Sequence, residues 1–296
     1  MKTQAKPFVK WAGGKSQILS EIRTKYPRGL GETITKYAEP FVGGGAVLFD
    51  VLNSFSLEAV YISDVNRELI ETYKTISDNP DELISVLSGL QAVFWNGNSD
   101  FRKTYYYEKR ERFNQLKMAE ASGTEVAALF IFLNRTCFNG LYRVNSKGGY
   151  NVPMGSYKKP TICDIDNLNA VSEKLKNVEI VCGDYKKSRE FIDNKTFAYF
   201  DPPYRPLTAT ANFTSYASDG FGDKEQIELA KFIAEMSDGG AAVVASNSDP
   251  KNTNASDDFF DNLYSSCIIT RIGANRMINS SAGGRGKINE LLIANI

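Results

Sequence analysis

Short apolar strands alternate with helices near both ends of this 296-residue chain, and this alternation restricts the possible folds most strongly. The strand-like run 37–42 (YAEPFV) precedes a helical pattern at 46–52, and the apolar run 59–63 precedes another at 68–77. Further strands are predicted at 178–182, 196–200, 241–245, 267–271 and 290–296. Strands and helices that alternate in this way predict an α/β fold with a mostly parallel sheet.

The alternation stops in the middle of the chain. Residues 80–133 indicate several helices, and the following segments 141–145 (LYRVN) and 150–152 (YNV) flank the turn sequence SKGG. Two short strands around a glycine turn predict a hairpin. We therefore predict an α/β domain formed by 1–66 and 161–296, interrupted by a helical insertion at 67–160 that ends in a hairpin at about 138–155.

The chain contains no histidine. This excludes every mechanism with an imidazole base, the Ser-His-Asp and Cys-His nucleophile systems, and any metal site ligated by histidine. The four cysteines show no CxxC spacing, so we expect reduced structural thiols and no metal.

The N-terminal segment lacks the apolar core of a signal peptide, and no stretch of the chain approaches the ~20 apolar residues of a membrane span. We therefore expect a cytoplasmic protein without a membrane partner.

The most informative segment is Asp201-Pro202-Pro203-Tyr204, which directly follows the predicted strand 196–200. Ligands of an open α/β sheet bind just beyond the carboxyl ends of its strands. The two prolines remove two amide donors and stiffen the backbone, so the segment offers a carboxylate, a carbonyl oxygen and an aromatic ring. These groups suit the exocyclic amine of a flat base: Asp201 and the Pro202 carbonyl accept its two N–H groups, and Tyr204 stacks on the ring. The alternative is a stiffened strand end with a helix-capping aspartate.

A glycine turn at 43–45 follows the first strand, and Asp64 ends the second. In nucleotide-binding folds such glycines allow close approach of the backbone, and an acid about 20 residues further on binds ribose hydroxyls. Leu48 stands where the dinucleotide fingerprint has its third glycine, so a nucleoside ligand without a pyrophosphate fits better than NAD. A plain turn between a strand and a helix is the alternative.

Taken together, the segments of this chain resemble the Dam-type DNA adenine N6-methyltransferases of the α arrangement. The segments that carry the resemblance are 8–15 (FVKWAGGK), 39–45 (EPFVGGG), Asp64, 134–135 (NR), 138–143 (FNGLYR), 151–155 (NVPMG), 157–160 (YKKP), 201–204 (DPPY), 209–216 (ATANFTSY) and 246–247 (SN).

The resemblance implies a Rossmann-like methyltransferase sheet that binds S-adenosylmethionine, with the helical insertion acting as a target-recognition domain. It assigns to the cofactor Trp11 and Lys15, then Phe41, Gly43 and Gly45 along the methionine part, Asp64 at the ribose, Asp184 at the cofactor adenine, and Asp201. For Asp184 a helix cap is the alternative. It assigns catalysis to Asp201, Pro202 and Tyr204, which would hold an adenine flipped out of duplex DNA.

The resemblance also implies a set of residues that contact double-stranded DNA. Lys10 and Arg143 would each read a guanine through its O6 and N7 acceptors, and Leu141 and Pro153 would touch a thymine methyl group or support the hairpin. Phe138 would insert into the base stack beside Asn139 at the opened pair. Arg135 and Tyr157 match neighbouring positions that contact DNA or lie in the insertion. This set implies the target 5′-GATC, although relatives with the same catalytic core read other sites that contain adenine.

An amine that attacks a sulfonium methyl group needs no base beforehand, since its proton leaves after transfer. The reaction requires proximity, alignment and acceptors for the N6–H groups, which agrees with the absence of histidine. The resemblance thus implies direct SN2 transfer to adenine N6 by a bacterial or phage enzyme. We expect a monomer, and the sequence leaves open whether it works alone or with a restriction endonuclease.

Three other classes share parts of the pattern. A nicotinamide oxidoreductase would use the glycine turn and Asp64, but Leu48 opposes it. A protein glutamine methyltransferase usually carries Asn in place of Asp201 and lacks the hairpin insertion. A non-catalytic DNA-binding regulator would need only the insertion, which leaves the intact Asp201 and glycine turn unexplained.

The formal net charge is zero, with 35 basic and 35 acidic residues, but the charges are unevenly distributed. Three stretches, 1–20, 126–163 and 262–289, contain basic residues and no acidic residue. They include the segment 8–15 and the hairpin. The remainder of the chain is correspondingly acidic, so a neutral total is compatible with a basic face for DNA.

We expect DNA affinity to fall steeply as salt rises, because contacts between these basic stretches and phosphates release counterions. Binding of a GATC duplex at 50 and 200 mM salt is expected to differ by more than about tenfold. Affinity that does not change with salt would contradict a basic DNA-binding face.

Overall fold

A computed structural model describes residues 3–205, 221–275 and 287–296 of the chain. Its described strands form a seven-stranded sheet in the order β3-β2-β1-β4-β5-β7-β6. The strands are β1 (Lys36–Glu39), β2 (Ala59–Asp64), β3 (Val178–Cys182), β4 (Thr196–Phe200), β5 (Ala242–Ser248), β6 (Ile268–Asn275) and β7 (Lys287–Ala294). The predicted α/β fold class is confirmed.

The centre of the sheet is parallel and one edge is antiparallel. β1 pairs in parallel with β2 and β4, and β4 with β5, whereas β7 runs antiparallel to both β5 and β6. Every residue of β4 and β5 is buried. Burial on both faces explains why these strands appear in the sequence as continuous apolar runs rather than as alternating patterns.

Nine α-helices are described: α1 (Leu19–Arg23), α2 (Ala46–Ser54), α3 (Arg67–Asp78), α4 (Pro80–Asn96), α5 (Ser99–Met118), α6 (Thr124–Thr136), α7 (Ile165–Leu175), α8 (Asp223–Asp238) and α9 (Phe259–Leu263). Local sequence sets several of their starts. The side chains of Asn66, Asn98 and Asp164 accept hydrogen bonds from the first turns of α3, α5 and α7, and Pro80 opens α4. None of the described helices has the length and apolar character to cross a membrane.

The chain divides into two compact units. The first comprises Met1–Gly14, Val42–Ser54 and Ser63–Gly183, and the second comprises Lys15–Phe41, Phe55–Ile62 and Asp184–Ile296. This division groups the glycine turn and β3 with the helices of the middle segment. The catalytic and target-recognition domains drawn from the sequence stay a prediction.

In the first unit, α6 is the central helix. It is buried from Val126 to Asn134 and packs against α3, α4 and α5. After α6 the chain makes a short turn at Phe138–Gly140 and then folds back on itself, with antiparallel bridges at Cys137↔Met154 and Val144↔Tyr150. The hairpin predicted from the sequence is thus present as isolated bridges rather than as two regular strands.

One face of α5 supports this hairpin. Tyr106, Arg110 and Asn114 follow one another at four-residue spacing, which places them on the same side of the helix. The Tyr106 hydroxyl and the Arg110 guanidinium both donate to the Val152 carbonyl, at 2.9 and 3.4 Å. The Asn114 amide donates to the Tyr150 carbonyl and accepts from the Tyr150 N–H, at 3.1 and 2.7 Å. These contacts give a structural role to a segment in which the sequence shows no motif.

We expect Asn114→Ala to lower the free energy of unfolding by about 1–3 kcal/mol, because it leaves two backbone groups of the hairpin without their partner. Urea denaturation measures the change. Lys103→Ala, at an exposed position of the same helix, is the matched control and should be neutral. Equal stability of the two variants would show that α5 does not hold the hairpin.

Candidate active site and nucleic-acid interface

Asp201 directly follows the buried strand β4 and is held by two side chains of the second unit. Its Oδ2 lies 2.7 Å from the Lys15 Nζ, and its Oδ1 accepts a hydrogen bond from the Ser246 hydroxyl at 2.8 Å. Ser246 lies on β5 and in turn accepts a hydrogen bond from the Tyr199 hydroxyl at 3.0 Å. The carboxylate is therefore fixed in position before any substrate binds.

Lys15 belongs to a short turn, Lys15–Gln17, and only 4% of it is exposed. Besides its contact with Asp201, its ammonium lies 4.8 Å from the centre of the Tyr204 ring. An N–H-bearing group thus lies against both the carboxylate and the aromatic face of the Asp-Pro-Pro-Tyr segment, which is the environment predicted for the amine of a base. The assignment of Lys15 to the cofactor stays a prediction.

Tyr204 is oriented by its hydroxyl, which donates to Glu290 on β7 at 2.7 Å. Burial, together with the negative charges of Asp201 and Glu290, raises the pKa of Tyr204 well above its ordinary value. The ring therefore remains a neutral phenol at physiological pH. It presents an uncharged aromatic face next to the carboxylate.

The loop after β4 is anchored by side chains from α8 and β5. Gln226 donates to the Pro203 carbonyl at 3.0 Å and accepts from the Asn247 amide at 3.1 Å. Among the described residues no donor reaches the Pro202 carbonyl, and its role as an acceptor stays a prediction.

Arg205, directly after Tyr204, forms ion pairs. Its guanidinium donates twice to Asp223, at 2.6 and 3.1 Å, and once to Asp257 at 2.7 Å, and it lies 4.2 Å from the centre of the Phe259 ring. The side chain thus ties the end of the loop to the starts of α8 and α9. The hydrogen bonds that the guanidinium donates to Asp223 and Asp257 raise the pKa of Arg205.

Phe41 and Asp184 also belong to the second unit. The Phe41 ring stacks on Tyr185 with centroids 5.5 Å apart and meets Phe221 edge-on at 5.9 Å. Asp184 accepts a hydrogen bond from the Lys186 N–H at 2.9 Å and caps the short turn Tyr185–Ser188. The helix cap that the sequence left as an alternative for Asp184 is therefore present.

The glycine turn lies in the first unit and follows the backbone geometry that glycine permits. Gly43 and Gly45 have positive φ angles of 47° and 72°. A Cβ atom on Gly43 would lie 2.8 Å from the Trp11 ring, and one on Gly45 would lie 2.5 Å from the Tyr73 hydroxyl. Trp11 thus packs directly against the turn with which the sequence associates it.

Asp64 is joined to this turn. Its Oδ2 accepts a hydrogen bond from the Gly43 N–H at 3.1 Å, and its Oδ1 accepts one from the Asn66 N–H at 2.8 Å. Burial raises the pKa of Asp64, and the backbone hydrogen bonds oppose this shift. The first unit therefore brings together Trp11, Gly43, Gly45 and Asp64, four of the residues predicted for the cofactor.

Lys10 and Tyr157, both predicted to contact DNA, lie together in the first unit. The Lys10 ammonium donates to the Tyr157 hydroxyl at 3.1 Å and lies 4.3 Å from the centre of its ring. The Asn134 amide group pairs with the backbone N–H and carbonyl of Lys10, both at 2.8 Å, and also donates to the Gly140 carbonyl at 3.0 Å. Asn134 thus joins the N-terminal segment to the start of the hairpin.

Arg143 is the second cation predicted to read a guanine, and it lies exposed on the hairpin. Its Nε donates to Asn151 on the opposite side of the hairpin at 2.8 Å. This contact orients the guanidinium while using only one of its three nitrogens. Bidentate recognition of guanine requires two nitrogens, and the two that remain can supply it.

The remaining DNA-binding predictions lie at the surface of the same region, with one exception. Phe138 is 52% exposed, although it is a large aromatic residue, and Asn139 beside it is exposed in the left-handed conformation. Pro153 is exposed, and Leu141 is half-buried.

The guanidinium of Arg135, by contrast, donates twice to the Phe8 carbonyl, and burial lowers its pKa. In this structure Arg135 supports the N-terminal segment, and its contact with DNA stays a prediction.

Sequence reasoning assigned no role to Asn134, Ser246 or Asn247, although each holds a predicted site residue or its loop. Each is a polar residue near the end of an otherwise apolar helix or strand. That position is the signal by which the sequence alone could have indicated them.

Comparison with known proteins identifies the family. A model of the D12 class N6 adenine-specific DNA methyltransferase family matches residues 11–278. The chain is 48% identical over 294 residues to the Type II methyltransferase M.MjaIII of Methanocaldococcus jannaschii, which covers 99% of each chain. It is 36% identical over 294 residues to a DNA adenine methylase of Vibrio cholerae, covering 99% of this chain and 96% of the relative. The DNA adenine methylase of Escherichia coli K12 is 33% identical over 285 residues, covering 96% and 93%.

The chain belongs to the D12 class of N6 adenine-specific DNA methyltransferases. Membership of the D12 class confirms the resemblance that the motifs indicate and makes the protein an enzyme. It also implies S-adenosylmethionine as the methyl donor and DNA as the substrate.

The hydroxyl of Ser246 is expected to be needed for catalysis, because it holds the carboxylate of Asp201. We expect Ser246→Ala to lower kcat for methyl transfer by about tenfold or more, the effect of losing a hydrogen bond to a charged group. Ser248→Ala is the matched control on the same strand, since its buried hydroxyl has no partner among the described residues. A kcat that is equal in the two variants would contradict the role of Ser246.

Proposed function

We propose that the protein transfers a methyl group from S-adenosylmethionine to N6 of an adenine flipped out of duplex DNA, within 5′-GATC. The observation that supports this proposal best is the position of the Lys15 ammonium. It lies 2.7 Å from an Asp201 oxygen and 4.8 Å from the centre of the neutral Tyr204 ring. The lysine thus holds the carboxylate beside the aromatic face, and these are the two groups that the amine and the ring of an adenine would contact.

In the proposed mechanism, Asp201 and the Pro202 carbonyl accept the two N6–H groups of the target adenine, and the Tyr204 ring stacks on the base. An ionised carboxylate offers about four lone-pair sites, so Asp201 retains acceptor capacity beyond Ser246 and Lys15. Hydrogen bonds at both N–H groups direct the nitrogen lone pair out of the ring plane and stabilise the positive charge that develops on the amine. The proton leaves N6 after transfer, with the Asp201 carboxylate as the nearest acceptor.

The residues of the first unit fit the donor. Gly43 and Gly45 expose backbone that side chains would cover, and Asp64 presents carboxylate oxygens that can accept from ribose hydroxyls. As the resemblance implies, we also assign Trp11, Phe41 and Asp184 to this ligand. When bound, S-adenosylmethionine supplies a methyl group bonded to a positively charged sulfur. This sulfur is a good leaving group, because it leaves as a neutral thioether.

The target 5′-GATC is proposed from the reading set. Lys10 and Arg143 supply two cations for two guanines, and each is oriented by a partner, Tyr157 and Asn151 respectively. Leu141 and Pro153 supply apolar surface for the thymine methyl group. The exposed Phe138 supplies a ring that can fill the space left by the flipped base.

We also propose that the enzyme acts on DNA as a monomer. Its likeness to relatives named Type II methyltransferases supports a functional pairing with a restriction endonuclease.

The test is methylation of an unmethylated plasmid by the purified protein with S-adenosylmethionine, followed by mass spectrometry of the nucleosides and sequencing with detection of modified bases. We expect N6-methyladenine confined to GATC. Asp201→Ala is expected to lower the rate by about 100-fold or more, because it removes the acceptor at the reacting amine.

Asp193→Ala, which removes an exposed acid before β4, is the control and should retain the activity. Methylated cytosine, or an Asp201→Ala variant with near-full activity, would contradict the proposed reaction. N6-methyladenine at other sites would contradict only the target sequence.

A further inference from the structure

Tyr142 links the hairpin to the residue that we assign to the cofactor. It lies between Leu141 and Arg143, and it is buried. Its ring stacks on the Trp11 indole, with centroids 6.0 Å apart and an angle of 27° between the planes. The Trp11 side chain also packs closely against the glycine turn at Gly43 and Gly44. The indole is therefore in contact with both the hairpin and the turn.

The orientation of Tyr142 is fixed by a buried carboxylate. Its hydroxyl donates to the Glu68 Oε2 at 2.8 Å, and the same oxygen lies 2.7 Å from the Lys117 Nζ. Glu68 is only 5% exposed. The loss of one partner from a buried charged pair strongly destabilises the folded protein, so this arrangement keeps the Tyr142 side chain in place.

Glu68 lies in the first turn of α3, four residues after Asp64. The cap of this helix, Asn66, donates its backbone N–H to Asp64. The start of α3 therefore holds both the carboxylate assigned to the ribose and the carboxylate that fixes Tyr142.

We propose that Tyr142 and Glu68 are a positioning pair, through which the DNA-reading hairpin sets the place of the Trp11 indole for cofactor binding. The proposal rests on the proposed function, since it takes Trp11 as a cofactor residue and the hairpin as the reader of DNA. It adds that DNA bound to the hairpin stabilises this placement of Tyr142, and through it the placement of the Trp11 indole. Binding of DNA and binding of the cofactor are then coupled, and the coupling is reciprocal.

Tyr142→Phe tests the pair, because it keeps the stacked ring and removes only the hydroxyl that Glu68 holds. We expect the KM for S-adenosylmethionine to rise about fivefold, at the lower end of typical coupling factors, with kcat changed by less than about twofold. Tyr150→Phe is the matched control, since its hydroxyl donates to the Leu141 carbonyl of the same hairpin and not to Glu68. An unchanged KM in Tyr142→Phe, or an equal rise in both variants, would overturn the proposal.

Fluorescence gives a second measurement that does not depend on turnover. The chain has two tryptophans, so Trp95→Phe leaves Trp11 as the only indole. In this background, titration with S-adenosylhomocysteine reports its Kd with and without a GATC duplex. We expect the duplex to tighten binding, and we expect Tyr142→Phe to bring the ratio of the two Kd values close to one while Tyr150→Phe preserves it.

The same ratio in Tyr142→Phe as in its parent would overturn the coupling. Glu68→Gln adds a second variant, because a neutral amide oxygen accepts a weaker hydrogen bond from the Tyr142 hydroxyl than the carboxylate does and no longer pairs with Lys117. We expect it to reduce the ratio as Tyr142→Phe does. If the parent protein neither binds S-adenosylhomocysteine nor methylates DNA, the proposed function itself is wrong, which is a different outcome from a failed coupling.

Discussion

The contact between Lys15 and Asp201 is the interaction on which the proposed chemistry depends. The lysine is almost completely buried, and the loss of one partner from a buried ion pair typically costs about 3–5 kcal/mol. The pairing therefore keeps a carboxylate at the end of β4 where an isolated charge would be unfavourable. Ser246 holds the second oxygen, so the carboxylate has a defined orientation rather than a range of rotamers. Preorganisation of this kind is what electrostatic catalysis requires.

The register of the sheet brings these groups together. Phe200 of β4 pairs with Ala245 of β5, so that Asp201 and Ser246 are the next residues on neighbouring parallel strands. Ser248 of β5 pairs with Glu290 of the antiparallel β7, and Glu290 receives the Tyr204 hydroxyl. The carboxylate and the aromatic ring of one short segment are thus oriented by two different strands. The antiparallel β7 thus contributes a carboxylate, that of Glu290, which belongs to none of the motifs identified in the sequence.

The first unit applies the same principle to the proposed DNA contacts. Each cation assigned to a guanine has a partner that orients it: Tyr157 for Lys10 and Asn151 for Arg143. Asn134 holds the backbone around Lys10 and the start of the hairpin at the same time. A cation on a long flexible side chain loses less entropy on binding when its position is already restricted. In the proposed reading of bases, neutral residues hold these two cations in position.

The sequence by itself determined the alternation of strands and helices, the helical middle segment with its hairpin, and the Asp-Pro-Pro-Tyr segment at a strand end. These features depend on neighbouring residues, because strand and helix periodicity and proline stiffness act over a few positions. The tertiary structure decided which side chains meet. Lys10 and Tyr157 are separated by 147 positions, and Tyr142 and Glu68 by 74.

The partners of two arginines also depend on the tertiary structure. Arg205 pairs with Asp223 and Asp257, and the Arg135 guanidinium donates to the backbone of Phe8. A charged residue in a sequence shows only that it needs a partner or water. Its partner is chosen by the packing of distant elements, which no local pattern records.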